Sequence, residues 1–188
     1  MRRLITFVSL IVVLTGCGAT SQTSSSTNDH GGDHSTEAPT MDHGSMSMSD
    51  LQFLDGMIEH HRGAIAMAKD AQNQASDPRV QELAKQIIAA QEPEIVQLQA
   101  WRKQWFGDAP DSDLSALHMG SMDVSAGSES YDRRFLTAMI SHHDGAIAMA
   151  QSIKVSTQRA ELKTFAEAVI TAQTAENQQM DTWLQEIK

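Results

Sequence analysis

The chain aligns with itself at an offset of 82 residues, without a gap. Asp50 falls on Asp132, Phe53 on Phe135, Leu54 on Leu136 and Met57 on Met139. His60 and His61 fall on His142 and His143, and Met67 on Met149. Further on, Gln91 meets Gln173, Glu94 meets Glu176 and Trp101 meets Trp183. A register held over about 50 positions in each half marks a duplication, so the fold must be one that two copies of a single unit can build.

Each unit reads as two helices. In residues 50–74, Phe53, Leu54, Met57, Ile58, His61, Ala64, Ile65 and Ala68 recur at helical spacing and form one apolar stripe. Ala75-Ser76-Asp77-Pro78 interrupts it, with Asp77 suited to the N-cap and Pro78 to the first turn of a second helix. That helix is expected to run to about residue 105, with Val80, Leu83, Ala84, Ile87, Ile88, Gln91, Glu94, Ile95, Leu98 and Trp101 on its inner face. The second unit repeats the pattern near residues 131–153 and 158–187. Abundant Ala, Gln and Met and few aromatics agree with helix. Short links within each unit force antiparallel hairpins. The link between units, residues 106–130, is rich in Gly, Ser and Asp and long enough to travel the length of helices ~40 Å long. The expected fold class is all-α: a ferritin-like four-helix bundle of two duplicated helical hairpins joined by a long crossover. An open pair of hairpins is the alternative. Pro93 breaks the repeat, since its counterpart is Ala175. It removes one backbone hydrogen bond beside Gln91 and Glu94 and is expected to kink the helix, so that the two halves differ.

The N-terminal part has a different character. Arg2 and Arg3 precede a short apolar run, residues 4–14, that is too short for a stable membrane span. It ends in Leu14-Thr15-Gly16-Cys17, which resembles a bacterial lipobox, and Cys17 is the chain's single cysteine. The expected organisation is therefore a signal peptide at 1–16 and a lipidated Cys17. A disordered tether reaches to 48, and a duplicated domain spans 49–187, made of repeat one at 49–105, a crossover at 106–130 and repeat two at 131–187. On this reading the protein is exported and anchored on the extracytoplasmic side of a bacterial cell envelope, with the membrane as one partner. The formal charge of −10 argues against nucleic acid as another, because a phosphate backbone needs a basic footprint. Self-association into a homo-oligomer remains open.

Several groups do not belong in a plain helical core. On a helical wheel His61 lies inside the apolar stripe with Met57, whereas His60 lies at its flank, near Phe53 and Met67. Met57 stands three and four residues before them, within chelating reach. Gln91 and Glu94 interrupt the stripe of the second helix, and buried carboxylates are rare unless paired. The duplication supplies the set again as Met139, His142, His143, Met149, Gln173 and Glu176. One reading is a buried polar network in which imidazoles bond to Glu or Gln and fix helix register. The other is a metal site built from His60, His61, His142, His143, Met57, Met67, Met139, Met149, Glu94 and Glu176. The linkers bear on the choice. The tether carries His30, His34, Met41, His43, Met46 and Met48, and the crossover carries His118, Met119 and Met122. Core packing does not call for Met and His there. Thioether sulfur prefers Cu(I), and imidazole binds both copper states, so copper is the expected cofactor and a metal ion the expected partner. A di-iron oxidase normally needs Glu-x-x-His on two helices. Here the residues three before His60 and His61 are Met57 and Ile58. No phosphate-binding Gly-rich loop, H-E-x-x-H or Cys nucleophile motif occurs, so an enzyme is not the expectation.

The two copies of M-I-x-H-H-x-G-A-I-A-M-A, at residues 57–68 and 139–150, together with Tyr131-Asp132-Arg133-Arg134-Phe135-Leu136 before the second, resemble domain-of-unknown-function family 305. The resemblance covers about residues 49–187. It implies a ferritin-like, often exported protein, and some members look like periplasmic copper-binding or copper-resistance proteins. It points to His60, His61, His142 and His143, with Met57, Met67, Met139 and Met149, as the candidate set.

Overall fold

The computed structural model describes residues 48–117, 119, 120, 122, 124 and 127–188. The lipidation residue Cys17, the tether candidates His30, His34, His43 and Met46, and the crossover candidate His118 lie outside the described residues.

Four helices follow in order: α1 (Asp50–Gln74), α2 (Pro78–Phe106), α3 (Tyr131–Ser156) and α4 (Ala160–Glu186). Local chemistry sets their ends. Ser49 and Gln52 form a capping box at the start of α1, each satisfying a backbone N–H of the other. Asp77 caps α2 by accepting from the Arg79 N–H, and Pro78 occupies the first turn, where its missing donor costs nothing. Helix α2 runs through Pro93 as one continuous helix to Phe106, and Pro93 faces solvent.

The repeat is visible in how the hairpins hold each other. Asp132, at the start of α3, is 4 % exposed and accepts from the backbone N–H groups of Ser76 and Asp77 in the α1–α2 turn. Its counterpart Asp50, at the start of α1, pairs with Arg159 in the α3–α4 turn at 3.0 Å. Each unit thus fastens its first residues to the turn of the other.

Helices α1 and α2 pack as one hairpin and α3 and α4 as the other, and the two meet chiefly through α1 and α3. The early half of α1 packs with the late half of α3, around Phe53, Leu54, Met57, Ala146, Met149 and Ile153. The late half of α1 packs with the early half of α3, around Ala64, Met67, Ala68, Phe135, Leu136 and Met139. The central pair is therefore antiparallel, as expected for a four-helix bundle with one long crossover. The crossover is pinned at its start by Asp55, which receives the Arg102 guanidinium and the Ser112 N–H. It then covers α1 at Gly56, where an added Cβ would come within 2.6 Å of Leu117 Cδ1. Among the described residues no helix is long and apolar enough to cross a membrane.

Candidate metal centre

Between the two apolar clusters lies a layer of four histidines. His60, His61, His142 and His143 are all 0 % exposed. The sequence placed His61 and His143 at the core and His60 and His142 on a flank. The structure buries the flank as well, because α1 and α3 cross at this level and each covers the side of the other. The His60 and His142 rings stand 3.7 Å apart between centroids. His60 Nε2 donates to the His142 carbonyl at 2.8 Å. That bond fixes the His60 tautomer and leaves the lone pair on Nδ1.

The outer pair reaches the other way, toward α2 and α4. His143 Nε2 bonds to Glu176 Oε2 at 2.7 Å. His61 Nε2 lies 2.8 Å from Glu94 Oε2, but without the alignment of a hydrogen bond. Both glutamates line a small cleft between α2 and α4, together with Ile87, Gln91, Val169 and Gln173. Gln91 and Gln173 are buried, and their Oε1 atoms have no hydrogen-bond partner among the described residues. The same holds for Nδ1 of all four histidines and for Nε2 of His142. Such atoms are uncommon in a folded interior and call for a ligand or water to satisfy them.

Burial also decides the protonation of the inner pair. His60 is held down to about 2, chiefly by desolvation, then by the neighbouring His142 and His61; its bond to the His142 carbonyl opposes the shift only in part. His142 is held down to about 3 by desolvation and then by His143 and His61. Both are neutral imidazoles at physiological pH, the form that offers a lone pair to a metal.

The methionines divide by role. Met57, Met67, Met139 and Met149 are all buried, Met67 and Met139 on one side of the histidine layer and Met57 and Met149 on the other. Met149 Sδ sits against Gly56 and contributes to packing there. Met48 packs against the cluster around Phe53, and its carbonyl accepts from Ser156 Oγ at 2.8 Å. Met119 is half-buried, and Met122 lies over α1 beside His142. Among the described residues no three His, Cys, Asp or Glu side chains gather around one point. The donors available together are imidazole nitrogen, thioether sulfur and single carboxylates.

The sequence profile described as Domain of unknown function (DUF305) matches residues 17–102 and again 50–184. This chain belongs to the DUF305 family. Two overlapping matches are what a duplicated unit produces, and DUF305 members are also its structural neighbours. A DUF305 fragment from Deinococcus radiodurans is 26 % identical, with a TM-score of 0.63 over 73 % of this chain and 96 % of that one. CopM in its Cu(II)-bound form is 35 % identical, with a TM-score of 0.66 over 75 % of this chain and 99 % of that one. CopM in its Cu(I)-bound form is 37 % identical, with a TM-score of 0.62 over 74 % and 97 %. An uncharacterized protein of Acanthamoeba polyphaga mimivirus is 48 % identical over 48 residues, which is 26 % of this chain and 32 % of that protein. The chain thus matches about a third of that viral relative's length and nearly the whole of the solved structures.

Two features of this site lie outside the candidate ligand set. Gln91 and Gln173 were visible as polar interruptions of an apolar stripe, and their place in the cleft follows from that signal. Gly63, which lets Met122 of the crossover approach α1, gave no signal of its own, because a glycine inside a helix does not announce its neighbour.

Proposed function

We propose that this protein is an exported, lipid-anchored copper-binding protein of the bacterial cell envelope, serving as a copper buffer or donor rather than as an enzyme. The observation that carries the reading is the layer of wholly buried imidazoles whose Nδ1 atoms, with His142 Nε2, lack partners among the described residues. Neutral imidazole with nearby thioether is a donor chemistry that favours copper over oxygen-preferring ions. CopM, at 35–37 % identity, supports it, having been solved with Cu(I), Cu(II) and Ag bound. Cys17 would hold the domain at the membrane, and the Met/His tether would gather the ion for the histidine layer.

The test is titration of the full processed chain with Cu(I) against a competing chelator. Replacement of all four histidines by Gln is expected to weaken binding at least tenfold. Affinity unchanged by that replacement would exclude the layer, and loss only on removal of residues 18–48 would move the function to the tether. Replacement of Cys17 by Ser is expected to release the protein from the membrane fraction.

A second reading treats the layer as a structural polar network. The His60–His142 carbonyl bond and the His143–Glu176 bond favour it. It predicts that the histidines matter for stability and that metal raises the unfolding midpoint by nothing measurable.

A further inference from the structure

The cleft between α2 and α4 holds a second set of polar atoms, and its chemistry differs from that of the histidine layer. The hairpins meet chiefly through α1 and α3, so α2 and α4 face each other across an open seam. Each helix lines the cleft with one face, at i, i+3, i+4 and i+7. The lining consists of four repeat pairs. Ile87 stands with Val169 and Ala90 with Ala172, then Gln91 with Gln173 and Glu94 with Glu176. The two alanines are too short to close the seam. A cavity of about 20 Å³ remains, room for one water-sized occupant.

The oxygens of this cleft exceed their partners. Gln91 is 3 % exposed and Gln173 4 %, and Oε1 of each has no hydrogen-bond partner among the described residues. The contacts with His61 and His143 use Oε2 of Glu94 and of Glu176, which leaves the second oxygen of each carboxylate for another ligand. Among the described residues no lysine or arginine lines the cleft to offset the two carboxylates, and like charges sharing a site repel. Buried acceptors without donors, beside a carboxylate pair without a counter-charge, call for a cation.

We propose that the α2–α4 cleft binds one oxygen-preferring divalent cation, Ca²⁺ by its donor chemistry, through the carboxylates of Glu94 and Glu176 and the amide oxygens of Gln91 and Gln173. The proposal goes beyond the copper reading and does not depend on it. Two carboxylates balance a charge of +2. Four protein oxygens, completed by water from the open side, make the kind of coordination shell that Ca²⁺ takes, and amide oxygen is among its ordinary ligands. Mg²⁺ retains several of its own waters, for which the cavity is too small. Cu(I) and Ag(I) favour sulfur and imidazole, which this set does not supply. An ion held from both helices ties the hairpins together where apolar contact does not. With only two carboxylates, the site belongs at the weak end of calcium affinities, with a dissociation constant of about 10⁻⁴–10⁻³ M.

The experiment titrates the full processed, metal-free chain with Ca²⁺ by calorimetry and follows its urea midpoint at about 10 mM Ca²⁺, with Mg²⁺ at the same concentration for comparison. One Ca²⁺ per chain and a raised midpoint are expected, with a smaller effect of Mg²⁺. Q91L/Q173L removes both amide oxygens at nearly constant volume, and E94Q/E176Q removes both charges and keeps the shape. Each pair is expected to raise the Ca²⁺ dissociation constant at least tenfold. Metal-free Q91L/Q173L is expected to unfold at no lower urea concentration than the parent, because it removes two unpaired buried acceptors. A lower midpoint would mean that the amides are already paired inside the bundle and would overturn their role as ligands. Absence of Ca²⁺ binding at about 10 mM would leave water as the occupant and overturn the site. Affinity within twofold of the parent in either variant pair would place the ion elsewhere on the acidic surface and overturn it as well. None of these outcomes alters the Cu(I) titration of the histidine layer, so the copper reading stands or falls separately.

Discussion

In the second hairpin His143 makes an aligned 2.7 Å hydrogen bond to Glu176, whose side chain is 14 % exposed. In the first, His61 sits 2.8 Å from Glu94 without that alignment, and Glu94 is 33 % exposed. The hairpins share residues, register and core, yet their donors are held differently. The difference follows elements that the duplication does not copy. Pro93 immediately precedes Glu94, whereas Ala175 precedes Glu176. The crossover covers the α1–α3 seam once, and its Gly120 lies against the α3 backbone at Ser141 and His142. Duplication thus provides a scaffold with paired donors, and single-copy elements differentiate them.

The largest effect expected of the layer is one the two halves share. His60 and His142 have folded-state pKa values near 2 and 3, below their ordinary 6.5, with burial as the main cause. The unfolded chain takes up these protons below about pH 6.5 and the folded chain does not, so their contribution is fully favourable above that pH and is lost on acidification. Each should cost about 1.4 kcal/mol per pH unit in that range. Urea unfolding of the metal-free chain between pH 6.5 and 4.5 should show this slope before the carboxylates titrate. In H60Q/H142Q the slope should flatten over the same window. A parent whose stability stays constant across it would contradict the burial of these imidazoles.

A second contrast lies at the turns. Asp132 is 4 % exposed and serves two backbone donors, at 3.0 and 3.1 Å. Asp50 pairs with Arg159 at a more open site, with side-chain exposures of 22 % and 37 %. Replacing Asp132 by Ala leaves those amides without their acceptor and should cost about 1–2 kcal/mol. The matching replacement at Asp50 should cost under about 1 kcal/mol, as exposed pairs do. Equal losses in denaturant titrations would show that the hairpins are fastened alike.

Most of the scaffold was legible because it is periodic. The 82-residue register located four helices, and Asp77-Pro78 placed the start of α2, since caps and helical faces are local chemistry. The far end of α3 ran to Ser156, three residues beyond the expected boundary, because Lys154-Val155-Ser156 carry no stop signal before Thr157. The layer was half legible. The wheel put His61 in the core, but burial of His60 depends on where α3 crosses α1, which no single helix encodes. The contact of Gly63 with Met122 is nonlocal in the same way. So is the clamp of Asp55 and Arg102 on the crossover, whose repeat counterparts are Thr137 and Leu184. A repeat argument is blind to what occurs only once.

The smallest expected effect separates the two glutamates. E176Q keeps shape and volume but replaces a charged acceptor with a neutral one in the aligned bond to wholly buried His143. A hydrogen bond to a charged group contributes about 1.5–3 kcal/mol and a neutral one about 1, so a loss near 1 kcal/mol is expected. E94Q changes a contact that lacks alignment and is more exposed to water, and should lose about half that or less. The two variants are to be compared metal-free at neutral pH by urea titration, where curves of equal slope make the midpoints directly comparable. If E94Q costs as much as E176Q, the first hairpin holds its histidine as firmly as the second, and Pro93 has no part in the asymmetry. If P93A raises the cost of E94Q to that of E176Q, the proline is what loosens it.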